Sequence, residues 1–156
     1  MVNFYSRKSP RIPDYDYSNN GFYFVTICTH NKECIFGKPE KLSEYGTIAW
    51  NEAHSIENHY DNVKVDCCVV MPNHIHAIIV IDHPHGESHG TNLNTIIGQY
   101  KSGVTRKIRD ISPNLIVWQR SYHDHIIRNE KQYQIIREYI DTNPQRWLED
   151  CFYTNI

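Results

Sequence analysis

Val63-Lys64-Val65-Asp66-Cys67-Cys68-Val69-Val70-Met71-Pro72-Asn73-His74-Ile75-His76-Ala77-Ile78-Ile79-Val80-Ile81-Asp82 holds both a structural and a chemical signal. Val63 to Val70 and His74 to Asp82 are dense in β-branched residues, and only Met71-Pro72-Asn73 separates them. Two such runs with so short a connection are expected to pair as an antiparallel hairpin. On a strand, residues i and i+2 point to one face. His74 and His76 therefore offer both imidazoles to the same side, where they can bind one ion. The same spacing also serves packing or a solvated surface, and spacing alone leaves those readings open.

Working outward, Phe22 to Thr29 is rich in aromatic and β-branched residues and reads as a strand. Between it and the hairpin, residues 42–58 place Leu42, Tyr45, Ile48, Ala49, Ala53 and Ile56 at helical spacing, with Ser43 as N-cap. After a polar loop at 83–90, residues 91–110 carry Leu93, Ile96, Ile97, Tyr100, Val104 and Ile108 on one helical face, although Gly98 and Gly103 lower the intrinsic propensity. Ile116 to Trp118 begins a fourth strand. Asn129 caps a last helix that runs to about Thr142 and ends because Asn143 precedes Pro144. Strand, helix, strand, strand, helix, strand is the ferredoxin-like, or RRM-like, order. The expected α+β fold is an antiparallel sheet with helices on one face, plus a C-terminal helix. Residues 1–156 read as one domain, with 1–20 a polar arm.

Composition narrows the function classes. Apolar residues at 40% and charged residues at 22% are ordinary for a globular chain. The longest apolar run, Ala77 to Ile81, is too short to cross a bilayer, and the N-terminus lacks a signal-peptide core, so a cytoplasmic protein with no membrane partner is expected. Five cysteines without a Cys-x-x-Cys indicate neither a disulfide framework nor a four-cysteine zinc site. A formal charge of −2 excludes nonspecific coating of duplex DNA, which depends on phosphate neutralisation. Nucleic acid would have to be held locally, by Arg7, Lys8 and Arg11, by Lys101, Arg106, Lys107 and Arg109 on the second helix, or by Arg120 and Arg128. Each of these, taken singly, reads equally as solvated charge.

Tyr139 and Asn143 stand i, i+4 on the last helix and share a face. A phenol could attack there beside a metal. Tyr139 also falls at core-facing spacing after Ile136, and Asn143 suits a helix C-terminus, so spacing leaves both readings open.

Val69-Val70-Met71-Pro72-Asn73-His74-Ile75-His76 closely resembles the histidine-hydrophobic-histidine (HUH) signature of single-tyrosine, IS200-like transposases. Tyr15-Asp16-Tyr17 followed by Gly21 to Thr29 resembles that family's first strand. Trp118-Gln119-Arg120, Asp124-His125-Ile126-Ile127-Arg128 and Tyr139-Ile140-Asp141-Thr142-Asn143-Pro144 resemble its C-terminal half. The likeness spans nearly the whole chain and leans to the branch associated with repetitive extragenic palindromes (REP).

The resemblance implies that Tyr139 is the nucleophile, that His74 and His76 bind Mg²⁺ or Mn²⁺, and that Asn143 is the third protein ligand. His125, Arg120 and Arg128 match the family pattern as DNA or structural contacts. The reaction implied is cleavage and strand transfer of single-stranded DNA at hairpin-flanked sites, in transposition or REP processing, through a 5′-phosphotyrosine. Tyr122 and Tyr133 are rival tyrosines, but neither has Asn or Gln four residues on. The family contains homodimers that share a tyrosine helix as well as members that act alone, and both states stay open. Two other readings are a noncatalytic hairpin binder on the same sheet, and a structural zinc site joining Cys67 or Cys68 to the histidines. Because imidazole must be neutral to ligate, metal-dependent cleavage is expected to fade below about pH 6.5 unless other ligands hold the site.

Overall fold

The computed structural model describes residues 11–84 and 91–155. Six strands and three α-helices follow one another as β1 (Gly21–Cys28), β2 (Gly37–Lys38), β3 (Lys41–Leu42), α1 (Glu44–Ser55), β4 (Val63–Met71), β5 (His74–Ile81), α2 (Leu93–Ile111), β6 (His123–Ile127) and α3 (Glu130–Thr142). The main sheet has the order β4-β5-β1-β6, and every neighbouring pair is antiparallel. This is the expected ferredoxin-like sheet. β4 and β5 form the hairpin read from the sequence, closed by the Met71–His74 pair.

Strand alternation sorts the side chains into two layers. Tyr23, Val25 and Ile27 of β1, with Ile75, Ala77, Ile79 and Ile81 of β5, share a core with the apolar faces of α1 and α2. Phe24, Ile78 and Ile127 point the other way and pack with Ile136 and Ile140 of α3. α3 thus covers the second face of the sheet, the one that carries the histidines. Fully burying an isoleucine stabilises by roughly 2 kcal/mol. Ile136 and Ile140, both essentially without exposure, are therefore enough to seat α3 firmly on that face.

Side-chain caps start all three helices: Ser43 Oγ accepts from Gly46 N at 3.1 Å, Asn92 Oδ1 from Thr95 N at 3.0 Å and Asn129 Oδ1 from Gln132 N at 2.9 Å. Each is worth about 1 kcal/mol. α2 runs unbroken through Gly98 and Gly103. At Gly103 a Cβ would lie 2.5 Å from Glu52 Oε2, the end of an α1 side chain that would have to turn aside. Tertiary packing outweighs the propensity cost there.

Two points differ from the sequence reading. Ile116 to Trp118 does not begin a strand; Trp118 makes a lone bridge to Thr29, and β6 starts at His123. The short hairpin β2–β3 has no counterpart in that reading, because two-residue strands carry no periodicity. α3 ends at Thr142, where the sequence reading puts it, and the chain continues past Pro144. Asn143 keeps helical angles (φ −57, ψ −42), and the backbone tightens into a 3-10 helix, Asn143–Glu149. Proline is tolerated there because the first turn of a helix has no use for its N–H. No described helix is long and apolar enough to cross a membrane.

Candidate active site

β5 places His74 and His76 on the α3 face of the sheet, both with no solvent exposure. Their Nε2 atoms lie 3.0 Å apart. The far side of each ring is anchored: His74 Nδ1 meets Asn73 Oδ1 at 2.8 Å, and His76 Nδ1 meets Thr26 Oγ1 at 2.7 Å. The Asn73 amide nitrogen donates to Phe152 O at 2.8 Å and Lys32 O at 3.2 Å, so its oxygen is the atom turned to His74. His74 must then carry its proton on Nδ1, which leaves Nε2 as a bare lone pair. Burial pushes both imidazoles toward the neutral form. His76 is lowered from 6.5 to about 3, and His74 well below its usual value by burial first and then by His76 and Lys32. Neutral imidazole is the ligating form.

Three more side chains complete the cluster. Tyr139, half-buried on α3, brings its hydroxyl to 3.4 Å from His76 Nε2, with its ring edge-on to Phe24 and His76. Asn143 is one turn further on and buried. Its amide nitrogen donates to Asp150 Oδ2 at 2.8 Å, and its Oδ1 is buried without a hydrogen-bond partner. Asp150 lies just beyond the 3-10 helix with its side chain fully buried, Oδ2 standing 3.8 Å from His74 Nε2. The rings of Trp147 and Phe152 stack beside His74 at 6.2 and 4.7 Å between centroids.

Among the His, Cys, Asp and Glu side chains of the described residues, the group that could hold an ion is His74, His76 and Asp150, with one ligand atom from each lying within 4.8 Å of the others. Adjacent ligands on an ion at about 2.1 Å stand roughly 3 Å apart, which is the separation of the two Nε2 atoms; Asp150 Oδ2, 3.8 Å from His74 Nε2, would close in on a bound ion. Two imidazole nitrogens and a carboxylate oxygen make a donor set for a divalent metal ion. No cysteine joins it. Cys67 and Cys68 fall in opposite core layers, as adjacent strand residues must.

The rival tyrosines lie elsewhere. Tyr122 belongs to the layer across the sheet, where its hydroxyl donates to Asn94 and Arg11 stacks on its ring. Tyr133 donates to Asp66 and accepts from Arg137.

The basic residues are scattered. Arg7 and Lys8 lie outside the described residues. Arg11 is tied into the fold: its guanidinium pairs with the buried Asp124 at 2.9 Å and donates to Tyr122 O at 3.0 Å. It serves the arm's attachment rather than a free grip. Lys101 caps the backbone oxygens of Gln119 and Arg120, and Arg106 borders a cleft between α1 and α2, both on the layer opposite the histidines. Arg120 and Arg128 are exposed.

Asp150, Asn73 and Thr26 are the members that sequence reasoning misses. Asn73 adjoins the histidine pair and Thr26 lies in the first strand, but a hydrogen bond that orients a ligand leaves no periodic trace. Asp150 is seven residues past Asn143, beyond a proline, where no helical spacing connects the two.

Comparison with known proteins gives a consistent picture. The sequence profile described as "Transposase IS200 like" matches residues 19–143. A Haemophilus influenzae protein of unassigned function is 37% identical over 169 residues, covering 96% of this chain and 94% of its own. A second protein of that organism, provisionally named a REP-associated tyrosine transposase, is 24% identical over 135 residues, 83% of this chain and 73% of its own. In three dimensions the fold resembles a REP-associated tyrosine transposase solved bound to a REP hairpin, with TM-score 0.65, 18% identity, and 87% of this chain and 73% of that one covered. It also resembles a transposase-like protein of Deinococcus radiodurans, with TM-score 0.53, 16% identity, and 85% and 95% covered.

Proposed function

Since the chain belongs to the IS200-like transposase family, we propose that it cuts and rejoins single-stranded DNA beside a hairpin, with Tyr139 as nucleophile and His74 and His76 as ligands of Mg²⁺ or Mn²⁺. The observation that carries this reading is the Tyr139 hydroxyl at 3.4 Å from His76 Nε2, within a buried pair of neutral imidazoles.

Tyr139 Oη attacks the scissile phosphorus. A bond forms from Oη to phosphorus, the bond from phosphorus to the 3′-oxygen breaks, and the strand leaves as a 3′-hydroxyl. The phenolic proton is released as attack proceeds, at the partly exposed end of the cluster. The 5′-phosphate stays on Tyr139 as an ester, and a second 3′-hydroxyl reverses the step, so joining needs no ATP. A bound divalent ion supplies Lewis-acid polarisation of the nonbridging phosphate oxygens. His74 and His76 are pre-oriented for it through Asn73 and Thr26, which spares the rings any reorganisation. Phe24 and Ile136 fix the ring and helix that carry Oη. Arg120 and Arg128, both exposed, are the cations assigned here to the DNA backbone.

The test is incubation with labelled hairpin oligonucleotides carrying single-stranded flanks, with Mn²⁺ or with EDTA. Cleavage confined to the Mn²⁺ arm, yielding a free 3′-hydroxyl and a protein-linked 5′ fragment, is the expected result. Tight hairpin binding without cleavage would favour the noncatalytic binder.

A further inference from the structure

We propose that Asp150 is a ligand of the divalent ion, with Asn143 as the side chain that holds it in place. The inference rests on the reading that His74 and His76 bind such an ion, and changes its third protein ligand from the amide to the carboxylate. Asp150 is a carboxylate with a fully buried side chain, and among the described residues its ion-pair contact is His74. The Asn143 amide donates to its Oδ2 at 2.8 Å and Phe152 N to its Oδ1 at 2.7 Å. Carboxylates with buried side chains are ordinarily paired with a cation or coordinate a metal.

The geometry supplies the place for that cation. Asp150 Oδ2 faces His74 Nε2 at 3.8 Å, and the two Nε2 atoms are 3.0 Å apart. Three ligand atoms converge: the Asp150 carboxylate oxygen, His76 Nε2 and His74 Nε2, whose lone pair its own tautomer leaves as an acceptor. Asn143 presents its nitrogen to the carboxylate and so positions it, and its Oδ1 is left without a partner. The carboxylate supplies charge that a neutral amide could not, and hard dications favour it.

The experiment titrates Mn²⁺ into the metal-stripped full chain and follows free Mn²⁺ by electron paramagnetic resonance, alongside thermal melts in EDTA and in Mn²⁺. His74→Ala and Asp150→Asn should each weaken Mn²⁺ binding by at least about 10-fold, and Asn143→Ala by less. In EDTA, Asp150→Asn should melt at or above the wild type. The substitution keeps the shape of the side chain, and a turned Asn143 amide can accept from the new one through its unpartnered Oδ1. Added Mn²⁺ should then raise the melting temperature of the wild type but not of this variant. If His74→Ala loses Mn²⁺ while Asp150→Asn binds within about 2-fold of wild type, or if Asn143→Ala weakens binding more than Asp150→Asn, the Asp150 assignment falls and the histidine site stands. An Asp150→Asn protein that melts below wild type in EDTA also counts against it. Wild-type Mn²⁺ affinity in His74→Ala would overturn the metal reading itself.

Discussion

Replacing His76 with Gln should flatten the acid sensitivity of the fold by an amount that follows from the histidine's burial. In the folded chain His76 holds its proton only below about 3, whereas the unfolded chain takes it up near 6.5. Between those values the unfolded state binds more protons, so acid favours unfolding. The stability linked to His76 is complete above pH 6.5 and declines progressively as the pH falls toward 3. At about 1.4 kcal/mol per pH unit, the decline between pH 7 and 4.5 is about 2.5 kcal/mol. His74, shifted in the same direction, steepens the wild-type curve further. Urea unfolding followed by circular dichroism in EDTA, at several pH values across this range, measures it. The gap in stability between wild type and His76→Gln should shrink by about 2.5 kcal/mol from pH 7 to 4.5. Parallel pH curves for the two proteins would show that His76 titrates as a solvated imidazole and would refute the argument. The same burial corrects the sequence-based expectation for pH: ligand protonation should not limit metal-dependent cleavage near 6.5, because the folded site keeps His76 neutral far below that.

Arg11→Ala should destabilise by about 2 kcal/mol in urea titrations, since it strips the buried Asp124 of a cation at 2.9 Å. Arg120→Ala with Arg128→Ala should weaken hairpin binding and flatten its dependence on salt by about 0.7 in log–log slope for each DNA phosphate left without its cation, while an unchanged slope would mark both as solvated charge. Ile136→Ala should cost about 3 kcal/mol and slow cleavage beyond the fraction unfolded, because the helix that carries Tyr139 loses its fully buried anchor; full activity in the folded protein would dissociate the two.

The sheet is legible in the sequence because its strands are long and their composition is unambiguous, and the hairpin because its connection is short. Ser43 and Asn129 can be read as caps, since capping is a local chemistry of one side chain and the amide three residues on. The fourth strand is placed too early by its composition: Ile116 to Trp118 has the right residues, but only Trp118 reaches a partner. At the candidate site the histidine spacing is visible, while its meaning comes from family resemblance. Asp150 cannot be read at all, because its approach to His74 depends on Pro144 continuing the chain into a 3-10 helix rather than ending it. The tie of Arg11 into the fold is illegible for a related reason. Its partner Asp124 is 113 positions away, and charge alone does not tell a tether from a grip.

The most direct measurement is to trap the protein on hairpin DNA with single-stranded flanks in Mn²⁺, digest the adduct and sequence the DNA-bearing peptide. The account predicts the DNA on Tyr139, and no adduct at all from Tyr139→Phe, which keeps the ring against Phe24 and His76, loses under about 1 kcal/mol of stability, and still binds the hairpin. DNA mapped to Tyr122 or Tyr133, or an undiminished adduct in Tyr139→Phe, would contradict it.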